Sequence, residues 1–159
     1  MKDKVVIITG GSSGIGKALA VSFAKLGCKV AITGRNEERL NEVGKELDDL
    51  GVSNLCLRLD SSSEADNKQM VKETIKTFGR LDILINNAGI SMRALFEDID
   101  LDVFQKVMDI NFNGTLYATK YALPYILESK GSIVGVSSIN GYRGTPARTA
   151  YTASKYAMN

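Results

Sequence analysis

Histidine is absent from all 159 residues. Without an imidazole there is no Ser-His-Asp hydrolysis, no Cys-His proteolysis and little zinc chemistry, so no metal-ligand set is expected. Cysteine is scarce: Cys28 and Cys56 are the two in the chain. They lie far apart, in or beside short apolar runs and without metal-ligand spacing, which reads as two buried free thiols in a reducing compartment. No apolar stretch reaches the length of a signal core or membrane span, and Met1-Lys2-Asp3-Lys4 passes straight into Val5. The expectation is a cytoplasmic protein with no membrane partner. An excess of one charge is lacking too, since 20 Lys and Arg oppose 18 Asp and Glu. No basic run is dense enough to track a phosphate backbone, which argues against a nucleic-acid partner. With 44% of residues apolar, the chain suits one domain with a substantial core.

Residues 5–8 form a continuous apolar, β-branched run, as expected of a strand buried on both faces, and Gly and Ser interrupt it from Thr9 to Gly16. A helix is expected over 17–26, stopped by Gly27, then a strand over 29–33. Asn36 can cap a helix whose first turn carries Glu37 and Glu38 and whose apolar stripe runs through Leu40, Val43, Leu47 and Leu50. A third strand over 55–59 leads to Ser63 and a helix with Met70, Val71, Ile75 and Phe78 on one face, ended by Gly79. A fourth strand is expected over 81–85, helix through most of 101–128, a fifth strand over 132–136, and a last helix starting near Tyr151. Strands alternating with helices imply an α/β, doubly wound parallel sheet of Rossmann type. In such a sheet ligands sit outside the carboxyl ends of the strands, where the winding reverses.

The candidate site residues fall at those ends. Thr9-Gly10-Gly11-Ser12-Ser13-Gly14-Ile15-Gly16 lies between the first strand and its helix, where a pyrophosphate needs close backbone approach and free N–H groups. A Gly-rich turn can also be only a turn. The spacing Thr-Gly-x-x-x-Gly-x-Gly differs from the common Gly-x-Gly-x-x-Gly and resembles that of the short-chain dehydrogenase/reductase family. Asn86-Asn87-Ala88-Gly89 after the fourth strand resembles the family's second hallmark, and Ser138 with Tyr151-Thr152-Ala153-Ser154-Lys155 resembles its catalytic signature.

The resemblance implies residues 1–159 to be a dinucleotide-binding and catalytic domain that moves hydride between a nicotinamide cofactor and a carbonyl or alcohol. Gly10, Ser12, Ser13, Gly14, Ile15 and Gly16 would then take the pyrophosphate, with Asn87, Ala88 and Gly89 beside the riboses. An acidic residue at the end of the second strand would hold the adenosine ribose and repel a 2′-phosphate. The sequence instead has Arg35 there, whose guanidinium could pair with that phosphate, so NADP(H) is expected. Glu37 and Glu38 could equally occupy Arg35. Asp60 resembles the family's adenine-side aspartate, and a turn or cap role is open to it.

Tyr151 and Lys155 stand four apart and would share a helix face. Carbonyl reduction needs a proton donor, and the reverse reaction a base. An ordinary phenol, with pKa about 10, is ionised in roughly one molecule per thousand at pH 7, a handicap of about 4 kcal/mol for base chemistry. A neighbouring ammonium reduces it. By resemblance Ser138 orients the substrate oxygen, with Ser137 as the adjacent competitor, and Asn111 holds a water on the proton relay, with Asn113 as its alternative. An asparagine inside a helical stretch is mildly unfavourable and hints at a special backbone need.

Family members continue past Asn159. The expectation is a domain truncated after the fifth strand and the start of the following helix, with an open apolar edge on that strand and negligible turnover by the 159-residue species. Relatives associate through the long helices, so a homodimer or homotetramer is implied. Two competing readings are a nucleotide-binding or scaffold protein without activity and an NAD-linked dehydrogenase.

Overall fold

Val5, Val6, Ile7 and Ile8 are wholly buried. A strand with both faces apolar belongs in the middle of a parallel sheet covered on two sides. It lies there in the computed structural model, which describes residues 1–159. Strand β1 (Val5–Ile8) is flanked by β2 (Lys29–Gly34) and β4 (Ile83–Asn86), with β3 (Asn54–Arg58) beyond β2 and β5 (Ser132–Gly135) beyond β4. Every pairing is parallel and the order is β3-β2-β1-β4-β5. The winding runs outward from β1 to β3, then crosses back to β4, so it reverses between β1 and β4. The crevice expected of this fold therefore opens at the ends of those two strands.

Helices α1 (Gly14–Lys25) and α2 (Glu37–Asp49) cover one face, where Ala20, Ala24, Leu40, Val43 and Leu47 bury against Val6, Ile8, Val30 and Ile32. Helices α3 (Glu64–Phe78) and α5 (Gly114–Ser129) cover the other, with Met70, Val71, Ala118, Ala122 and Ile126 against Val5, Ile7 and Leu84. The even and odd residues of β1 thus serve opposite layers, as the two-residue period of a strand requires. Asn36 caps α2 by accepting the Arg39 N–H at 2.8 Å, Ser63 caps α3 by accepting that of Asp66 at 3.2 Å, and Gly79 closes α3 in the left-handed region.

Several boundaries differ from the sequence expectation. The first helix begins at Gly14, three residues before the expected 17, because the glycine loop tightens directly into helix. The helical stretch 101–128 is two helices, α4 (Leu101–Met108) and α5, joined by a π-turn over Asp109–Asn113. Helix α6 (Thr149–Met158) starts two residues before Tyr151. Strand β5 forms the edge; all four of its residues are exposed, Val134 by 46%. No helix is long and apolar enough to cross a membrane.

The fourth strand starts at Ile83 instead of 81, and the residue before it, Asp82, pairs through both its backbone and its side chain, its N–H donating to the Val5 carbonyl at 3.0 Å. The Asp82 carboxylate accepts the Val5 N–H at 2.9 Å and a two-pronged pair from Arg80 at 2.8 and 2.6 Å, while its carbonyl accepts the Ser132 N–H. One buried residue, through its side chain and its main chain, thereby aligns the amino ends of β1, β4 and β5. Burial alone would raise the Asp82 pKa, but the Arg80 guanidinium and the Val5 N–H together hold it below the ordinary 3.8. A depressed carboxyl contributes stability that is complete above the unfolded value and is lost as pH falls through the folded one. Asp82→Ala should therefore cost about 1–3 kcal/mol in urea unfolding at pH 7. Its stability should also decline less steeply than that of the parent below pH 3.8.

Candidate functional site

The site is built on a stitch between the loops that follow β1 and β4. The Thr9 hydroxyl, 4% exposed, accepts the N–H groups of Asn87 and Ala88, each at 3.0 Å, and donates to the Ile85 carbonyl at 3.4 Å. In return Asn87 Nδ2 donates to the carbonyls of Thr9 and Gly10 at 2.9 and 3.2 Å. Helix α1 closes on this stitch so tightly that a β-carbon on Gly16 would lie 2.2 Å from the Gly10 oxygen. Gly14, by contrast, has φ +53 and nothing within 4 Å of its missing β-carbon. It supplies a left-handed turn and an open approach to the backbone. Ser13 ends the loop without capping α1, and the first turn carries no acid, so the helix's opening amides lack a side-chain acceptor.

A cleft of about 420 Å³ runs along these loops. Gly10, Ser12, Ser13 and Ile15 form its floor, Arg35 and Asp60 one end, and Asn87, Ala88, Gly89, Tyr151 and Lys155 the other. Arg35 is exposed and joins no ion pair, because Glu37 reaches Arg58 instead, at 3.8 Å. Burial would push the Asp60 carboxyl up, but the N–H and hydroxyl of Ser62, at 2.9 and 2.8 Å, and the charges of Arg35 and Lys106 hold it below the usual range. Asp60 therefore both organises its own turn and borders the cleft.

Helix α6 brings Tyr151, Ser154 and Lys155 to the far end. Lys155 is 4% exposed, donates to the Val136 carbonyl at 2.7 Å and to Met158 Sδ at 3.4 Å, and has no carboxylate partner. Burial lowers its pKa from the ordinary 10.5. Its Nζ lies 5.9 Å from the Tyr151 ring centre. Asn111, wholly buried in the π-turn, saturates its amide: Oδ1 accepts the Ile90 N–H at 2.8 Å, and Nδ2 donates to the Ile90 carbonyl and to Ser154 Oγ, both at 2.9 Å. Ser154 passes the link on to the Tyr151 carbonyl at 2.8 Å. Asn113 points elsewhere, bonding Asp109 at 2.8 Å.

Two expected neighbours sit differently. Ser138 caps the short turn Ile139–Gly141, accepting the Asn140 N–H at 3.2 Å, while Ser137 lines the cleft with a buried, unpartnered hydroxyl. Asn86 turns away from the cleft to donate to Thr119 Oγ1 at 3.0 Å. Thr9 and Ser154 carry no distinctive signal as lone Thr and Ser residues. Only their places inside the glycine loop and the Tyr-x-x-x-Lys segment could have singled them out.

The profile described as short chain dehydrogenase matches residues 4–159, and the chain belongs to that family of nicotinamide-dependent oxidoreductases. It is 42% identical over 158 residues to 11-beta-hydroxysteroid dehydrogenase A of Sesamum indicum, covering 98% of this chain and 45% of the relative. With an uncharacterized oxidoreductase of Staphylococcus saprophyticus it shares 37% identity across 100% of this chain and 69% of the other. The chain spans about half the length of the first of these curated relatives. Among solved structures, the alcohol dehydrogenase of Thermococcus sibiricus complexed with 5-hydroxy-NADP superposes with a TM-score of 0.95 at 28% identity, over 98% of this chain and 67% of that one. An NAD+-bound xylitol dehydrogenase does so with a TM-score of 0.95 at 31% identity, over 99% and 61%.

Thr9→Val keeps the shape of the stitch and removes its hydroxyl, leaving the half-buried N–H groups of Asn87 and Ala88 without that acceptor. Urea unfolding should show a loss of about 1–3 kcal/mol. Dinucleotide binding, followed by fluorescence titration, should weaken with it.

Proposed function

We propose that the protein is an NADP(H)-linked carbonyl reductase or alcohol dehydrogenase in which Tyr151 is the general acid and base. The observation that carries this reading is a phenol and a buried ammonium without a counter-ion on the wall of the cleft that the glycine loop floors. The chain's own surfaces fit a dinucleotide. Gly14 leaves the backbone open, the first amides of α1 have no side-chain cap, and Arg35 is a guanidinium without an ion-pair partner at the end of β2. Gly10, Ser12, Ser13, Gly14, Ile15 and Gly16 would hold the pyrophosphate, Arg35 and Asp60 the adenine side, and Asn87, Ala88, Gly89, Tyr151 and Lys155 the nicotinamide half. The cofactor supplies hydride to a carbonyl carbon, or accepts it from a secondary alcohol.

In reduction Tyr151 gives its hydroxyl proton to the carbonyl oxygen, leaving a phenolate and an alcohol. Burial makes the Lys155 ammonium costly, and a phenolate beside it offsets part of that cost, so each charge supports the other. A proton then returns to Tyr151 from solvent by way of Lys155 and a water held at the main chain of Asn111, whose side-chain amide is taken by Ile90 and Ser154. Asn111 also fixes the Ile90 backbone and, through Ser154, the first turn of α6. Ser138 is assigned to orient the substrate oxygen; its hydroxyl proton is committed only to a 3.5 Å contact with Asn140, weak enough to exchange for a ligand. Operation in the cytoplasm as a homodimer or homotetramer completes the proposal.

An NAD-linked dehydrogenase is the second reading, favoured by the likeness to the NAD+-bound xylitol dehydrogenase. A binding or scaffold role has no use for the Tyr151, Lys155 and Asn111 arrangement. Competitive titration should give NADPH binding tighter than NADH by about tenfold or more, and Arg35→Asp should reverse the order. Tighter NADH binding by the parent protein would defeat the NADP(H) assignment. In the full-length protein, Tyr151→Phe should lower kcat by about 10²–10⁴ with cofactor affinity retained; unchanged turnover would remove Tyr151 from proton transfer.

A further inference from the structure

From residue 129 to Asn159 the sequence contains no Asp or Glu, yet Lys130, Arg143, Arg148 and Lys155 lie there; residues 83–96 add Arg93 and again no acid. The loop after β4 and the segment from β5 into α6, which border the Tyr151 end of the cleft, therefore carry cations and no acid; the π-turn that contributes Ile110 brings Asp109, whose carboxylate is taken by Gln105 and Asn113. Arg148 is the residue that the geometry singles out. It is half-buried, stands at the N-cap of α6 and joins no ion pair. Its Nη1 donates to the hydroxyl of Ser91, a cleft-wall residue, and its guanidinium carbon lies 5.9 Å from the Tyr151 ring centre.

Two further observations show that this placement works against stability. A cation at a helix N-terminus adds to the positive end of the dipole, and α6 has neither a side-chain cap nor an acid in its first turn to compensate. The preceding residue, Ala147, is held at φ 60, a left-handed conformation unfavourable for alanine, while its carbonyl accepts the Ala94 N–H at 3.0 Å. The loops before α6 and after β4 are thus tied together beside Arg148 by one main-chain bond and one side-chain bond. A strained residue thus precedes a guanidinium that is held by Ser91 beside a phenol and has no carboxylate partner.

We propose that Arg148 is a specificity-determining residue that binds an oxyanion carried by the substrate, with the carbonyl oxygen a few bonds away on the Tyr151 hydroxyl. The substrate class is then oxo acids or oxo phosphates and the corresponding hydroxy compounds, in preference to neutral ketones. The guanidinium offers the parallel donors that a carboxylate or phosphate accepts, and the uncapped amides of α6 add donors alongside. This inference rests on the oxidoreductase reading above.

The test measures NADPH oxidation by the full-length protein with a series of linear oxo-carboxylates, their methyl esters and matched oxo-phosphates. The expected kcat/KM for the charged compounds exceeds that for the esters by roughly tenfold or more. That ratio should fall towards unity in Arg148→Met and recover in part in Arg148→Lys. In the parent protein KM for the charged compounds should rise with ionic strength while that for the esters stays level. A preference for carboxylate or for phosphate supports the proposal either way and names the oxyanion. Esters or other neutral ketones turned over as well as the acids by the parent protein would overturn it, whatever the fate of the variants. Failure to bind NADPH or reduce any carbonyl compound would instead overturn the oxidoreductase reading, and this inference with it.

Discussion

The hydroxyl of Thr9 holds together the two loops between which everything else is arranged. It receives two N–H groups from the end of β4 and gives its proton back to the same strand, while Asn87 returns two bonds to the end of β1. The two loops leave the sheet where the winding reverses, so without a cross-link each would be free to splay. Buried polar groups are costly unless satisfied, and here each loop satisfies the other. The close approach of α1, which tolerates no side chain at Gly16, depends on that fixed floor.

A second constraint acts at the far end of the cleft. Asn111 takes a carbonyl and an N–H from Ile90 and binds Ser154, so the loop after β4, the π-turn and α6 become one rigid unit. The π-turn is what lets an asparagine in mid-helix aim its amide sideways with every polar atom used. Lys155 sits within that unit with a carbonyl and a thioether for partners and no carboxylate. Its charge is therefore expensive until something anionic stands near it. At the opposite end Arg35 is exposed and free, and Asp60 is held ionised by its own turn. The cleft thus has cations at both ends and a glycine floor between them.

Much of this was legible in residue order. The run Val5 to Ile8 read as a central strand, Asn36 and Ser63 as helix caps, and Gly79 as a helix stop, because each is a local preference that the folded chain had no reason to override. The glycine loop and the Tyr-x-x-x-Lys spacing were equally plain. Boundaries that depended on distant partners were not. The start of β4 fell at Ile83, beside an Asp82 whose side chain takes a β1 amide, and one expected helix became two around the π-turn. The different settings of Ser137 and Ser138 were also illegible, since adjacent identical residues differ only in which way the backbone turns them.

The sequence by itself determined the alternation of strands and helices, the family and the chemical types present in the cleft, because periodicity, caps and motif spacing are properties of neighbours along the chain. Tertiary structure alone decided that Thr9 and Asn87 lock two loops, that Asn111 joins α6 to Ile90, and that Arg148 lies against Ser91 and Tyr151. Those contacts join residues brought together by the crossover that lays β4 beside β1 and by the return of α6 to the strand ends. No local preference encodes a partner that far away.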